Sequence, residues 1–363
     1  MSDDTRNMLH EAALRIFADK PGDLWAVLQE SGLDKALLPE SKGGAGISWA
    51  EACGLLSLAG EHAAAVPLAE AMVGHWLLDH AGVEGAGTPT IASSVRPEEI
   101  RVGVGHDGKR VNGKLCRVPW GEACTHVAFI VGAGTAAQLI VVARDAAGVS
   151  ITPGRNLAGE PRDTLVLEGV VPQAVVPAPF DARELLSLAA VLRGALMAGA
   201  IERSLALSVE YANLRVQFGR TIGKFQAVQQ NIAFLATQAA VARAAAEAGS
   251  DAIDEWLGGS GAPLTQSIAA ASAKIRTGEA AGQACAIAHQ VFGAIGFTEE
   301  HELHRFTKRL WSWRDECGNE AFWSHQLGQR ILANDATQSL WHAMVPVVAP
   351  ISVPAAEEAG AAR

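Results

Sequence analysis

The chain has 363 residues, enough for two or three domains with substantial cores, and is 49% hydrophobic and 19% charged, the balance of a globular protein. A formal net charge of −10 argues against nucleic acid as the main partner. No run of 18 apolar residues exists, so nothing reads as a membrane span.

Residues 1–87 read as a helical domain. The start MSDDTRNMLHEAALRIF is acidic and amphipathic, unlike a signal peptide. Apolar positions in LHEAALRIF and WAVLQESGL recur at helical spacing, and AGEHAAAVPLAEAMVGHWLLDHAG is rich in Ala and Leu. Between them Pro39, Gly43, Gly44 and Gly46 force a turn, after which Ser48 is placed to cap the next helix. Over 88–180 the texture changes to short β-branched runs, among them RVNGKLCRV, THVAFIVGAG, AQLIVVAR and DTLVLEGVV, broken by Gly, Pro and Asp. The pair Asp107-Gly108 is a hairpin signal. From Asp181 the helices return: one pattern over 182–215, the loop VQFGRTIGKF, a helix over 226–250, another over 263–292, and a pair near 301–314 and 319–343. Long Ala-rich helices with little charge need neighbours on several sides, so 181–345 reads as a four-helix bundle that buries a face in an oligomer. Residues 346–363 read as a flexible Pro- and Ala-rich tail. The cysteines at 53, 116, 124, 285 and 317 form no CxxC pair and no metal spacing, and the expected compartment is cytoplasmic.

Three segments, RVQFGRTIGKFQAVQ (215–229), HQVFGAIGFTEEHELHRF (289–306) and LLPESKGGAGIS (37–48), resemble those of acyl-CoA dehydrogenases. The first two follow the order and separation of that family's C-terminal signatures. The resemblance implies a mainly α fold with an N-terminal helical domain, a middle β-barrel-like domain and a C-terminal four-helix bundle, with FAD as cofactor. Independently, Arg215 suits the doubly anionic FAD pyrophosphate, which a guanidinium grips bidentately. Phe218 supplies an aromatic face and Gln226 a polar head at a helix start. By resemblance, Gln290 and the backbone near Gly293 and Ala294 meet the adenosine half; Ala294 stands where the family usually has a second glycine.

The catalytic half departs from the pattern. Removing an α-proton from an acyl thioester needs a carboxylate in a dry pocket. Aligned from Gln290, the family's usual base position is Cys317, and Glu316 lies one residue early, about 100° away on a helix. Some members carry the base on the first bundle helix; that position is Ala189, with Glu184 more than a turn away. A triplet that backs the flavin ring in the family, Trp-Ile-Thr, is here Cys116, Arg117 and Val118, with Trp120 close by.

In the family's dimers, the Arg, Phe and Gln signatures reach the FAD of the neighbouring subunit. This chain keeps what it would lend and lacks what it would use. It therefore resembles the non-catalytic member of the α2β2 acyl-CoA dehydrogenases of bacterial steroid side-chain degradation, sharing FAD at an interface with a paralogous catalytic subunit that takes a bulky acyl-CoA. The alternatives are a self-associating, self-sufficient homotetramer using Glu316 or Glu184, a same-fold flavin monooxygenase using His289, His301 or His304, and a scaffold that has lost flavin. On sequence alone, exchanging Glu316 for Gln keeps its size and most hydrogen bonding, so folding is expected to survive it.

Overall fold

The computed structural model describes residues 3–19, 21–84, 87–94, 100–104 and 110–333. The hairpin signal at Asp107-Gly108, the end of the last expected helix and the tail lie outside them. The N-terminal part holds α1 (Asp3–Asp19), α2 (Leu24–Glu30), α3 (Trp49–Glu61) and α4 (Leu68–His80). Ser48 caps α3 as expected, and the cap is reciprocal: its hydroxyl accepts from the Glu51 amide, and Glu51 accepts from the Ser48 amide. Asp254, far along the chain, accepts from the amides of Trp49 and Ala50 and ties the same helix end to the bundle.

Eight strands follow: β1 (Pro89–Ala92), β2 (Ile100–Val104), β3 (Val111–Pro119), β4 (His126–Val131), β5 (Gln138–Ala143), β6 (Val149–Thr152), β7 (Arg162–Val170) and β8 (Ala174–Pro177). They form two four-stranded sheets, ordered β1-β4-β5-β8 and β2-β3-β7-β6. All pairings are antiparallel except β1 with β4. Val127 and Phe129 of β4 face the other sheet, while Ala128 and Ile130 join the helical core. Burial on both faces accounts for the unbroken apolar run of that strand. The β3–β7 ladder shifts register between Leu115 and Val118, and Arg117 within the bulge has φ 55°.

The helical C-terminal part comprises α5 (Ala182–Leu214), α6 (Gln226–Leu257), α7 (Ile268–Phe292), α8 (Leu303–Asp315) and α9 (Glu320–Ala333). Among the described residues α5 alone is long and apolar enough to cross a membrane, but its most apolar window is wholly buried in the protein, which makes it the central core helix. α6 runs seven residues beyond its expected end at Ser250. Gly249 does not break it, because a Cβ there would lie 2.6 Å from the Ala273 Cβ of α7. This glycine serves a close helix crossing instead.

The α3–α5 crossing is tighter still. A Cβ at Gly199 would sit 1.8 Å from the Ser57 carbonyl oxygen, and one at Gly60 would sit 2.0 Å from that of Leu196. Gly199→Ala is therefore expected to cost about 1–3 kcal/mol through overpacking, read as a lower denaturation midpoint. Gly54→Ala on α3, where an added Cβ meets nothing within 4 Å, is the control and should be neutral or slightly stabilising.

Candidate functional site

The two C-terminal signatures fold onto one end of the bundle. After α5 the chain makes a two-residue ladder of β9 (Val216–Gln217) and β10 (Arg220–Thr221), turning through Phe218 and Gly219 at φ 53° and 78°. Successive positive φ values are what a tight hairpin turn requires. At Phe218 a bulky side chain holds that uncommon conformation while 90% exposed. Phe225 anchors the loop, edge-on to Phe218 at 6.2 Å and with the Arg220 guanidinium 4.1 Å over its ring. Arg215 and Gln226 are also exposed, and the Arg215 side chain makes no hydrogen bond or ion pair among the described residues.

The other signature ends α7. Gly293, at φ 62°, donates its amide to the His289 carbonyl and releases the chain into a tight turn, leaving Gln290, Gly293 and Ala294 exposed. Tyr211, one turn before Arg215, stacks on Phe292, immediately before Gly293, with ring centroids 4.3 Å apart. This contact brings the ends of α5 and α7 together. The histidines there have structural duties. The imidazole of His289 is sandwiched between Phe297 and Trp311 and lies 3.0 Å from the Thr307 hydroxyl; burial lowers its pKa. His301 accepts from the Leu303 amide at the start of α8, and His304 contacts the His301 carbonyl.

A second site lies between the sheets and the bundle. A cavity of about 480 Å³ is lined by Arg117, Cys317, Glu316 and Ala189, so the position of the flavin-backing triplet and both family positions for a base open on one cleft. Here the sequence reading missed most of the chemistry. Glu316 takes Arg162 Nε on one oxygen and Arg162 Nη2 on the other, each at 2.9 Å. It also takes Asn156 Nδ2 at 2.9 Å and lies 3.2 Å from Arg193 Nη2. Arg193 in turn donates to Glu70 at 2.7 Å. Glu160 accepts from Arg162, Asn156 and Trp313, and Arg309 Nε lies 3.0 Å from it as a charge contact without hydrogen-bond alignment. Three guanidiniums and three carboxylates thus close a buried, charge-balanced knot joining α4, the β7 region, α5 and α8. Its sequence signal was faint: single charges inside apolar runs, such as Arg193 in AAVLRGALM and Glu70 in PLAEAMVG.

Burial alone would push the Glu316 carboxyl up; Arg162 and Arg193 overcome it and hold the pKa at about 2. Beside it Cys317 adopts φ 55° and Gly318 φ 89°, a turn held by Trp323 Nε1 on the Cys317 carbonyl and by Lys274 Nζ on the Arg314 carbonyl at 2.6 Å. Lys274 is fully buried, which lowers its ammonium to about 8. Burial pushes the Cys317 thiol up, Arg193 opposing in part, so it is no thiolate. Glu184 is also raised by burial, but its two oxygens accept from the amide and hydroxyl of Thr265.

The cleft does not suit a flavin ring. Guanidiniums occupy its walls, and the strand that would back the ring bulges and presents Arg117. The exposed bundle end, by contrast, offers an unpaired guanidinium and an aromatic face, groups that fit a dinucleotide's pyrophosphate.

Comparison with known proteins gives the same frame. Residues 181–331 match the family described as Acyl-CoA dehydrogenase, C-terminal domain. The chain is 32% identical over 289 residues to Acyl-CoA dehydrogenase IpdE2 of Mycobacterium tuberculosis (strain ATCC 25618 / H37Rv), covering 79% of each sequence. Among solved structures, the ChsE4-ChsE5 complex from Mycobacterium tuberculosis matches with a TM-score of 0.80 at 24% identity over 93% of this chain and 99% of that one. The Tcur3481-Tcur3483 steroid ACAD matches with a TM-score of 0.78 at 23% identity over 91% and 98%. With that relative covering most of both sequences, the chain belongs to the acyl-CoA dehydrogenase family of oxidoreductases.

Proposed function

We propose that this chain is the non-catalytic subunit of a hetero-oligomeric acyl-CoA dehydrogenase, completing the FAD site of a catalytic partner without supplying the base. The observation that carries this reading is the state of Glu316. Glu316, the carboxylate adjoining the family's usual base position, is engaged by two arginines and an asparagine, with its pKa held at about 2. A carboxylate so weakly basic has almost no drive to take an α-proton, since an efficient general base titrates near the working pH. Members of the family are FAD-dependent, the cofactor supplying the acceptor for the substrate hydride. Toward it this chain would offer Arg215 to the pyrophosphate, Phe218 and Gln226 beside it, and Gln290 with the exposed backbone near Gly293 and Ala294 to the adenosine half. A bulky, steroid-derived acyl-CoA is the proposed substrate class, supported by the likeness to the Tcur3481-Tcur3483 steroid ACAD. A cytoplasmic location goes with that role.

The test is Arg215→Ala in the assembled complex. Loss of a charge-assisted bidentate contact should cost about 1.5–3 kcal/mol, roughly ten- to hundredfold in FAD affinity, with subunit association intact. Unchanged FAD content would show that Arg215 is a surface charge only. The self-sufficient alternative has one observation in its favour, the raised pKa of Glu184. Glu184→Gln should leave turnover by the complex unchanged; a hundredfold loss with FAD and assembly intact would decide for that alternative.

A further inference from the structure

We infer that Tyr211 is a positioning residue: stacked on Phe292, it fixes the spacing between the Arg215 and Gln290 segments, so that both grip one FAD together. The inference rests on the proposed function, since it concerns the same FAD. Arg215 does not stand on the rigid core. α5 is buried without a break from Glu184 to Ile201 but emerges toward its end, where Asn213, Leu214 and Arg215 are exposed. A helix end that surfaces in this way frays unless a tertiary contact holds its last turn.

The contact that holds it is aromatic. Tyr211, half-buried on the last turn of α5, stacks on the buried Phe292 of α7 with centroids 4.3 Å apart and planes at 23°. His301 closes the cluster, 4.4 Å from Phe292 and edge-on to Tyr211 at 6.5 Å. Each ring of the stack sits beside a signature. The Tyr211 carbonyl accepts from the Arg215 amide at 2.9 Å, and the Arg215 carbonyl accepts from the Ile222 amide at 2.9 Å, so the turn of Tyr211 carries the loop. Where Gly223 folds back, a Cβ would lie 3.0 Å from the Ala212 carbonyl oxygen, so the far side of the loop rests on the same turn. Phe292 stands between Gln290 and Gly293, whose amide donates to the His289 carbonyl. Pyrophosphate and adenosine belong to one ligand, so two contacts at a fixed spacing bind it at less ordering cost than two that move independently. Tyr211 acts through Arg215 and Gln290 rather than on the ligand itself.

The test measures FAD affinity in the complex with the catalytic partner, and backbone hydrogen exchange in the chain alone. Tyr211→Leu, which keeps apolar bulk but no ring, should weaken FAD about threefold to tenfold, the worth of an aromatic pair. Tyr211→Phe should match wild type. A spacing matters only while both contacts exist, so in the Arg215→Ala background Tyr211→Leu should change affinity by less than about twofold. In the chain alone, Tyr211→Leu should speed exchange of the Arg215 and Gly293 amides together, although they lie at the ends of different helices. Unchanged affinity in Tyr211→Leu, or an equal loss in Tyr211→Phe, would overturn this inference and leave the functional proposal standing. So would full additivity with Arg215→Ala, or faster exchange at Arg215 alone. Undiminished FAD affinity in Arg215→Ala would overturn the functional proposal itself, and this inference with it.

Discussion

Glu316→Gln is expected to destabilise the chain by about 3–5 kcal/mol, a large share of the stability of an ordinary domain. The swap preserves shape but removes the charge that neutralises Arg162 and Arg193, two guanidiniums that are nearly inaccessible to water. The cost is a buried excess of positive charge, since three guanidiniums are then left with two carboxylates, Glu70 and Glu160. The expectation from sequence, that folding survives the exchange, does not include the ion pairs of Glu316 with Arg162 and Arg193. Denaturant unfolding of wild type and variant measures it, and a double change that also removes Arg162 should recover part of the loss through non-additivity. A midpoint unchanged within about 0.5 kcal/mol would mean that the knot contributes nothing.

Acid should dissolve the same knot. The folded pKa of Glu316, about 2, lies below its ordinary 4.5, so the unfolded chain binds the proton more readily. Its stabilising contribution is therefore complete above pH 4.5 and disappears as pH falls through 2; it amounts to about 3 kcal/mol. With a side chain 18% exposed, Glu316 keeps most of that value from solvent screening. Glu184 works in the opposite sense, because its raised pKa favours the protonated form in the fold. Stability measured from pH 5 to pH 2 should fall in wild type and fall much less in Glu316→Gln. Parallel slopes would show that Glu316 is not held down as described.

The large elements were legible in sequence because periodicity reports burial directly. The run from Ala182 to Leu214 reads as one helix, and it is one. The end of α6 was not legible at Ser250, since a glycine needed for a close crossing, as Gly249 is, and a glycine that ends a helix look the same in one dimension. That the two signatures meet at one bundle end was legible because each is a contiguous segment, and the Tyr211–Phe292 stack joins them. The knot was not: Glu70, Arg162, Arg193 and Glu316 stand on four different elements, and their charges become a unit only when those elements pack. Lys274 was equally hidden, one of three charges in an Ala-rich helix with nothing local to mark its complete burial.

Flavin content tests the central claim most directly. The chain should be purified alone and then together with a catalytic paralogue, and FAD counted per chain after release from the protein. If this subunit lends Arg215 and its neighbours to a partner's FAD and keeps none itself, the chain alone carries almost no flavin and the complex holds one FAD for each pair of unlike chains. Stoichiometric FAD in the homo-oligomer, with dehydrogenase activity and no partner, would contradict that account.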